Sequence, residues 1–131
     1  MKHIFKPGDT KVYNKLVTTA DFARFDDGLV HAVCSTFSLA QAVEWAGRLF
    51  VLDMKEEDEE GIGTFLNINH KSPAFEGDII EITAILSLVH GNDVVCRFEA
   101  RVNDRLIADG ETGQKILKKE KLARVLAPKQ V

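Results

Sequence analysis

The feature that most constrains the fold is a single long amphipathic helix, which the sequence predicts between Thr36 and Met54. Small residues such as Ala40 and Gly47 are spread through this stretch and would let other backbone approach closely. We therefore expect the helix to be covered on more than one side. The residues that recur at helical spacing are apolar: Leu39, Ala42, Val43, Ala46, Leu49 and Phe50.

The chain after the helix alternates between apolar and polar residues, as strands do. An acidic run at 55–61 indicates a solvated loop, and a weaker strand pattern precedes the helix at 11–19. The segment 20–33 is irregular and is expected to form a loop or a short helical turn. Four strands are predicted after the acidic run, at 62–70, 79–89, 94–102 and 106–117.

Short turns such as Gly91-Asn92-Asp93 join these strands, so neighbouring strands must be antiparallel. One apolar face of such a sheet needs a cover, and only one long helix is available to provide it. The predicted fold is therefore α+β, with a five-stranded antiparallel sheet wrapped around one central helix. This is the hotdog arrangement, and 131 residues are enough for one such domain, over residues 1–131.

Composition and cysteine usage restrict the partners and the compartment. A formal net charge of −3 argues against a nucleic-acid-binding surface, and no apolar stretch is long enough to span a membrane. Cys34 and Cys96 lie far apart in the chain and form no cluster with metal-ligand spacing. We expect two buried free thiols, no metal site, no membrane partner and a cytoplasmic location.

Three polar residues are candidates for a catalytic role. Glu44 lies mid-helix among apolar and small neighbours, and its alternative role is an ion pair with Arg48 one turn later. His70 falls on the strand face shared by Ile62, Thr64, Leu66 and Ile68, where the alternative is a satisfied core or edge group. Thr36 stands at the helix start, where the alternative is a simple N-cap.

These residues resemble a known pattern. Thr36-Phe37-Ser38-Leu39-Ala40-Gln41-Ala42-Val43-Glu44-Trp45-Ala46, followed by Gly63-Thr64, five further residues and His70, is similar to the hotdog thioesterases related to fluoroacetyl-CoA thioesterase. That family has a Thr at the helix start, a Glu eight residues later before Trp-Ala, and a Gly seven residues before a His. The resemblance covers about residues 30–117.

The resemblance implies hydrolysis of an acyl-CoA thioester to a free acid and the CoA thiol. It makes Glu44 the nucleophile or general base, His70 the acid/base group, and Thr36 the residue that positions Glu44 or the acyl carbonyl. Gly63 and Thr64 would bind the substrate. No cofactor is expected, because the CoA moiety is part of the substrate, and the family places the site between two subunits of a homodimer, so that Glu44 and His70 come from different protomers.

Two departures from the family pattern are visible. The aromatic residues that shape the lid of the fluoroacetate-specific enzyme are replaced by Asp27 and Val30, so fluoroacetyl specificity is not predicted. The family's basic residue late in the last strand is absent from the segment 111–114. The CoA phosphates would then meet the basic tail, whose candidates are Lys115, Lys118, Lys119, Lys121 and Arg124.

Two other functions fit the same fold. Asp26 and His31 have the spacing of the Asp/His pair in hotdog enoyl-CoA hydratases, although Gly28-Leu29 stands where those enzymes have Asn-Pro. A non-catalytic acyl-CoA-binding domain would keep Glu44 as a structural ion pair. The acyl group itself is not readable from the sequence, because two subunits and the loop before the helix shape its pocket.

Overall fold

The computed structural model describes residues 1–129 and consists of seven strands and two helices with short connections. A short 3₁₀ turn, Thr19–Asp21, precedes the second strand. The elements are β1 (Thr10–Leu16), β2 (Phe22–Phe25), β3 (Gly28–Cys34), α1 (Thr36–Met54), β4 (Glu59–His70), β5 (Ile79–His90), β6 (Asp93–Val102), β7 (Arg105–Lys118) and α2 (Lys119–Leu126).

Five of the strands form one antiparallel sheet in the order β1-β5-β6-β7-β4. Helix α1 contacts all five of these strands, so the sheet curves around it and confirms the hotdog fold predicted from the sequence. Strands β1 and β4 are the two edges of the sheet. This places the strand that follows the helix, β4, on an edge that has no neighbouring strand within residues 1–129.

Helix α1 begins where its sequence provides a cap. Ser35 has extended backbone, and its side chain accepts a hydrogen bond from the backbone N–H of Ser38 at 2.9 Å. The N-cap is therefore Ser35, and the alternative role of Thr36 as a cap is wrong. The buried face of α1 includes Leu39, Val43 and Phe50, all fully buried against the sheet.

The segment before the helix differs from its prediction. Residues 22–34 form a two-stranded antiparallel hairpin, β2–β3, rather than a loop or helical turn. The hairpin carries exposed apolar side chains, among them Phe25 and Leu29, and irregular pairing interrupts its register. Because neither strand buries a regular face, the period-2 pattern that reveals a strand is missing from its sequence.

Strand β4 contains a bulge, so its alternation of inward-facing and outward-facing residues differs from the prediction. Gly63 pairs with Gln114 and Phe65 pairs with the next residue of β7, so Thr64 is the extra residue. Leu66, Ile68 and His70 face the helix as predicted. Before the bulge the phase reverses: Gly61 and Gly63 face α1, and Ile62, expected on that side, faces outward.

Within the described chain, neither helix has the length and apolar character needed to cross a membrane.

Candidate active site

Thr36 and His70 meet at the start of α1. The Thr36 hydroxyl lies 2.9 Å from His70 Nδ1, which joins the first residue of the helix to the last residue of β4. The hydroxyl and the ring nitrogen form a hydrogen bond, and the tautomer of the imidazole determines which of them donates. This contact orients the ring and leaves Nε2 as its free end.

His70 Nε2 is buried and has no hydrogen-bond partner in the part of the chain that the structure describes. A buried polar atom without a partner costs about 1–3 kcal/mol, so such atoms are rare unless something else binds them. Among the described residues, His70 is therefore satisfied only at Nδ1. Its Nε2 is available to a substrate, a water molecule or a group from a second chain.

Glu44 lies two helical turns further along α1, with its carboxylate against Gly63. A Cβ atom at Gly63 would occupy the space that the carboxylate uses, so only glycine leaves room for it there. The ion pair of Glu44 with Arg48 does not form. Arg48 instead donates to Glu60 Oε1 at 2.9 Å, and Glu60 also accepts from the backbone of Gly61.

Glu44 and His70 of one chain lie far apart. The helix advances about 12 Å between Thr36 and Glu44, and β4 advances about 20 Å between Gly63 and His70. The carboxylate is held at Gly63 and the imidazole at Thr36. The structure therefore brings Thr36 and His70 together, brings Glu44 and Gly63 together, and separates the two pairs within one chain.

Each pair borders a cavity. Thr36 lines one of about 940 Å³ between the start of α1 and the β2–β3 hairpin, together with Phe25 and Val30. Glu44 lines one of about 240 Å³ between α1 and β4, together with Trp45 and Gln114. The first has room for an acyl group, and the second places the carboxylate beside the free edge of β4.

The other residues that the sequence suggested belong neither to the Thr36/His70 pair nor to the Glu44/Gly63 pair. Thr64 is exposed at the bulge, and its predicted role in substrate binding stays a prediction. Asp26 and His31 line the larger cavity, but no hydrogen bond or ion pair joins them within residues 1–129. That geometry provides no Asp/His dyad of the kind a hydratase would use.

The basic tail is mostly occupied by ion pairs. Lys115 contacts Asp93 at 3.2 Å, and Lys118 contacts Asp58 at 2.9 Å. Arg124 pairs with a glutamate on its own helix. A CoA phosphate would have to compete with these carboxylates for the side chains that the sequence suggested.

Sequence reasoning missed the buried carboxylate of Asp21, which anchors the start of α1. Ser38 Oγ donates to it at 2.5 Å, the backbone N–H of Thr18 at 2.8 Å, and Lys15 Nζ lies 2.9 Å away. Burial alone would raise the pKa of Asp21, but these hydrogen bonds and the Lys15 charge outweigh it and lower the pKa below 3.8. No spacing rule links Asp21 to Ser38, so only its unusual burial reveals it.

A sheet wrapped around one helix, with a Thr/His pair at the helix start and a glutamate at a glycine of the edge strand, defines the class of hotdog thioesterases. The chain belongs to the family described as fluoroacetyl-CoA-specific thioesterase, whose model matches residues 17–120. It is therefore a thioester hydrolase. This confirms the family and the enzyme class that the motif predicted.

Several solved structures have the same fold as this chain. A hypothetical protein of Thermus thermophilus, described as a thioesterase superfamily member, is 34% identical, with a TM-score of 0.90 over 94% of this chain and 91% of its own. The fluoroacetyl-CoA thioesterase FlK shares the fold at 20% identity, with a TM-score of 0.84 over 95% of this chain and 98% of its own. A variant of FlK, in complex with fluoroacetate and CoA, is 19% identical, with a TM-score of 0.80 over 90% of this chain and 99% of its own. No curated protein sequence gives a significant match.

Proposed function

We propose that this protein hydrolyses acyl-CoA thioesters with Glu44, His70 and Thr36 as its working side chains. The observation that carries the proposal is the imidazole of His70, fixed at Nδ1 by Thr36 and left without a partner at its buried Nε2. A ring held in this way offers one nitrogen to the thioester end of a substrate. The proposed reaction needs no cofactor, and residues 1–131 would act as one catalytic domain.

The roles follow from the positions. Thr36 is the first residue of α1, where backbone N–H groups without helical partners and the positive end of the helix dipole favour a developing oxyanion. His70 would exchange a proton with the reacting groups, and Thr36 would hold its ring in one orientation. Glu44 would act as the nucleophile or general base, with the Gly63 backbone beside the thioester.

The separation of Glu44 from His70 supports a site built by two subunits. Strand β4 is an edge with unpaired backbone groups, and it carries exposed apolar side chains at Phe65 and Leu66. Such an edge is a template for pairing with another strand. We propose that β4 pairs antiparallel with β4 of a second copy, which makes a homodimer with one continuous sheet.

We propose the register that brings the Glu44/Gly63 pair of one subunit to the Thr36/His70 pair of the other. In a symmetric antiparallel pair the two-fold axis passes through a residue that opposes itself. Across an axis through Asn67, residue 65 opposes residue 69 of the partner subunit, and residue 66 opposes residue 68. Because Thr64 is the extra residue of the bulge, the next inward-facing position is Gly63, which then opposes His70 of the partner subunit. Each site would thus combine Glu44 of one protomer with the Thr36/His70 pair of the other.

Complementation between inactive variants tests both the residues and their distribution. Glu44→Gln and His70→Ala should each remain folded and lose thiol release by about 100-fold or more. A homodimer of either variant lacks one member in both sites, whereas a mixed dimer regains one intact site. After subunit exchange, the mixture should recover about a quarter of wild-type activity, since half the dimers are mixed and half their sites are intact.

The other outcomes are distinguishable. Wild-type rates in Glu44→Gln would reject the mechanism, and inactive single variants without recovery would place both residues in one protomer's site. A panel of acyl-CoA esters of increasing chain length, followed by free thiol, identifies the substrate. Loss of crotonyl-CoA absorbance would favour the hydratase, and saturable binding without thiol release would favour a binding domain.

A further inference from the structure

Gln114 is a polar side chain buried between the sheet and helix α1, next to two glycines. It lies on β7, is 4% exposed, and points toward α1 rather than toward solvent. Its Nε2 would lie 3.6 Å from a Cβ at Gly47, and its Oε1 would lie 3.5 Å from a Cβ at Gly61, which are ordinary contact distances. The amide therefore lies between α1 and β4.

The amide of Gln114 borders the same cavity as the carboxylate of Glu44. Gln114 is the direct β-sheet partner of Gly63, against which that carboxylate rests. Both side chains line the cavity of about 240 Å³, a volume that holds several water molecules. No side-chain hydrogen bond of the amide is found within residues 1–129, so its carbonyl oxygen and its NH₂ group can both meet a molecule in this cavity.

We propose that Gln114 and Glu44 together hold the water molecule that hydrolyses the thioester. The inference rests on the proposed function and deepens it by assigning Glu44 the role of general base. Two acceptors, the Gln114 carbonyl oxygen and a Glu44 carboxylate oxygen, take the two protons of one water. Its lone pair is thereby directed away from both groups and toward the open side of the cavity, where a substrate lies.

The reaction balances with these groups. The water oxygen forms a bond to the thioester carbonyl carbon as one of its protons passes to Glu44. The tetrahedral intermediate collapses, the carbon–sulfur bond breaks, and the proton held by Glu44 reaches the thiolate sulfur through His70 of the partner subunit. The products are the free acid and the CoA thiol, and both Gln114 and Glu44 return to their starting states.

Kinetics of two variants test this assignment. Gln114→Met keeps the side-chain length and removes the amide, so kcat should fall by about 10–100-fold while KM and the unfolding temperature change little. Asn14 is the control, because it is an exposed amide on β1 and lines neither of the two cavities. Asn14→Leu should keep kcat within about twofold of wild type. A Gln114→Met enzyme with wild-type kcat would overturn the proposal.

A spectroscopic test does not depend on activity. The side-chain NH₂ resonances of Gln114 are assigned by their loss in Gln114→Met. They should shift in Glu44→Gln and stay in place in Glu111→Gln, which changes a carboxylate on the outer face of the same strand. Unmoved resonances in Glu44→Gln would reject the shared water even if the enzyme hydrolyses thioesters. If the Gln114 resonances shift in Glu44→Gln but the wild-type protein releases no thiol from acyl-CoA esters, the proposed function is rejected and the contact between Gln114 and Glu44 is retained.

Discussion

The carboxylate of Glu44, the proposed general base, depends for its position on a residue that has no side chain. Glu44 can rest against β4 only because position 63 is a glycine that faces the helix. The obstacle to a methyl group there is the far end of a flexible side chain and not backbone. A substitution at this position should therefore act on chemistry more than on folding.

Gly63→Ala should lower kcat by at least about tenfold, because the new methyl group displaces the Glu44 carboxylate. Its free energy of unfolding should change by less than about 1 kcal/mol. Urea unfolding and steady-state kinetics measure the two quantities on the same preparation. Unchanged kcat would show that the resting position of Glu44 is not the reactive one.

Gly110→Ala is the contrasting variant. A Cβ there would collide with the backbone carbonyl oxygen of Asn67, and the residue has φ of +155°. Backbone cannot turn aside as a side chain can, so this variant should lose about 2–4 kcal/mol of stability.

Asp21 provides a prediction about pH. Its pKa is lowered in the folded chain, because hydrogen bonds from Ser38 and Thr18 and the charge of Lys15 outweigh the effect of burial. Its contribution is complete above the ordinary pKa of 3.8 and is lost as the pH falls through the lower folded value. Asp21→Asn should therefore cost about 1–3 kcal/mol near neutral pH. The difference from wild type should shrink below about pH 4. A pH-independent difference in urea unfolding would contradict the role of the charge.

At this scale the sequence offered candidate residues but not their partners. Spacing and residue type left a structural alternative open for Glu44, His70 and Thr36, and the resemblance to the thioesterase family selected them. The burial of Gln114 depends on its packing beside Gly47 of α1 and Gly61 of β4, both of which are far from it in the chain. Only the packing of α1 against β4 reveals that a glutamine of β7 is buried between them.

At the scale of elements, helix α1 was predicted with the bounds that the structure has. Its apolar residues recur every three to four positions because one broad face is buried. The β2–β3 hairpin was missed because an isolated two-stranded ribbon buries neither face regularly. Strand β4 was found, but no pattern marks the extra residue, Thr64, that reverses the phase before it.

The free edge of β4 leads to a cross-linking prediction. If the two-fold axis passes through Asn67, the two copies of this residue oppose each other with Cα atoms about 4.5–5.5 Å apart, within disulfide range. Asn67→Cys should form a covalent dimer under mild oxidation, visible on a non-reducing gel. Asn69→Cys is the control, because its two copies would be about 13 Å apart. Preferential cross-linking at residue 69 would contradict the register.

At the scale of the whole molecule, the two cysteines report on whether the core opens. Burial, with a smaller contribution from the charge of Asp21, raises the pKa of Cys34 to about 11, and burial raises that of Cys96 to about 12. Both thiols are free and buried, as predicted, and both belong to the one hydrophobic core cluster. Only a thiolate attacks a disulfide reagent, so both should be silent in the folded protein.

Native protein mixed with a chromogenic disulfide reagent at about pH 8 should give no signal over the duration of an assay. In denaturant, both thiols of each chain should react together, because one cooperative transition exposes the helix start and the sheet interior. The Asn67→Cys variant, kept reduced and dilute, is the positive control with one accessible thiol. Early reaction of a native thiol would mean that Cys34 becomes accessible by local opening at the start of α1, where Thr36 and His70 meet. The same silence makes thiol release a direct measure of substrate hydrolysis, since the enzyme itself would add nothing to the signal.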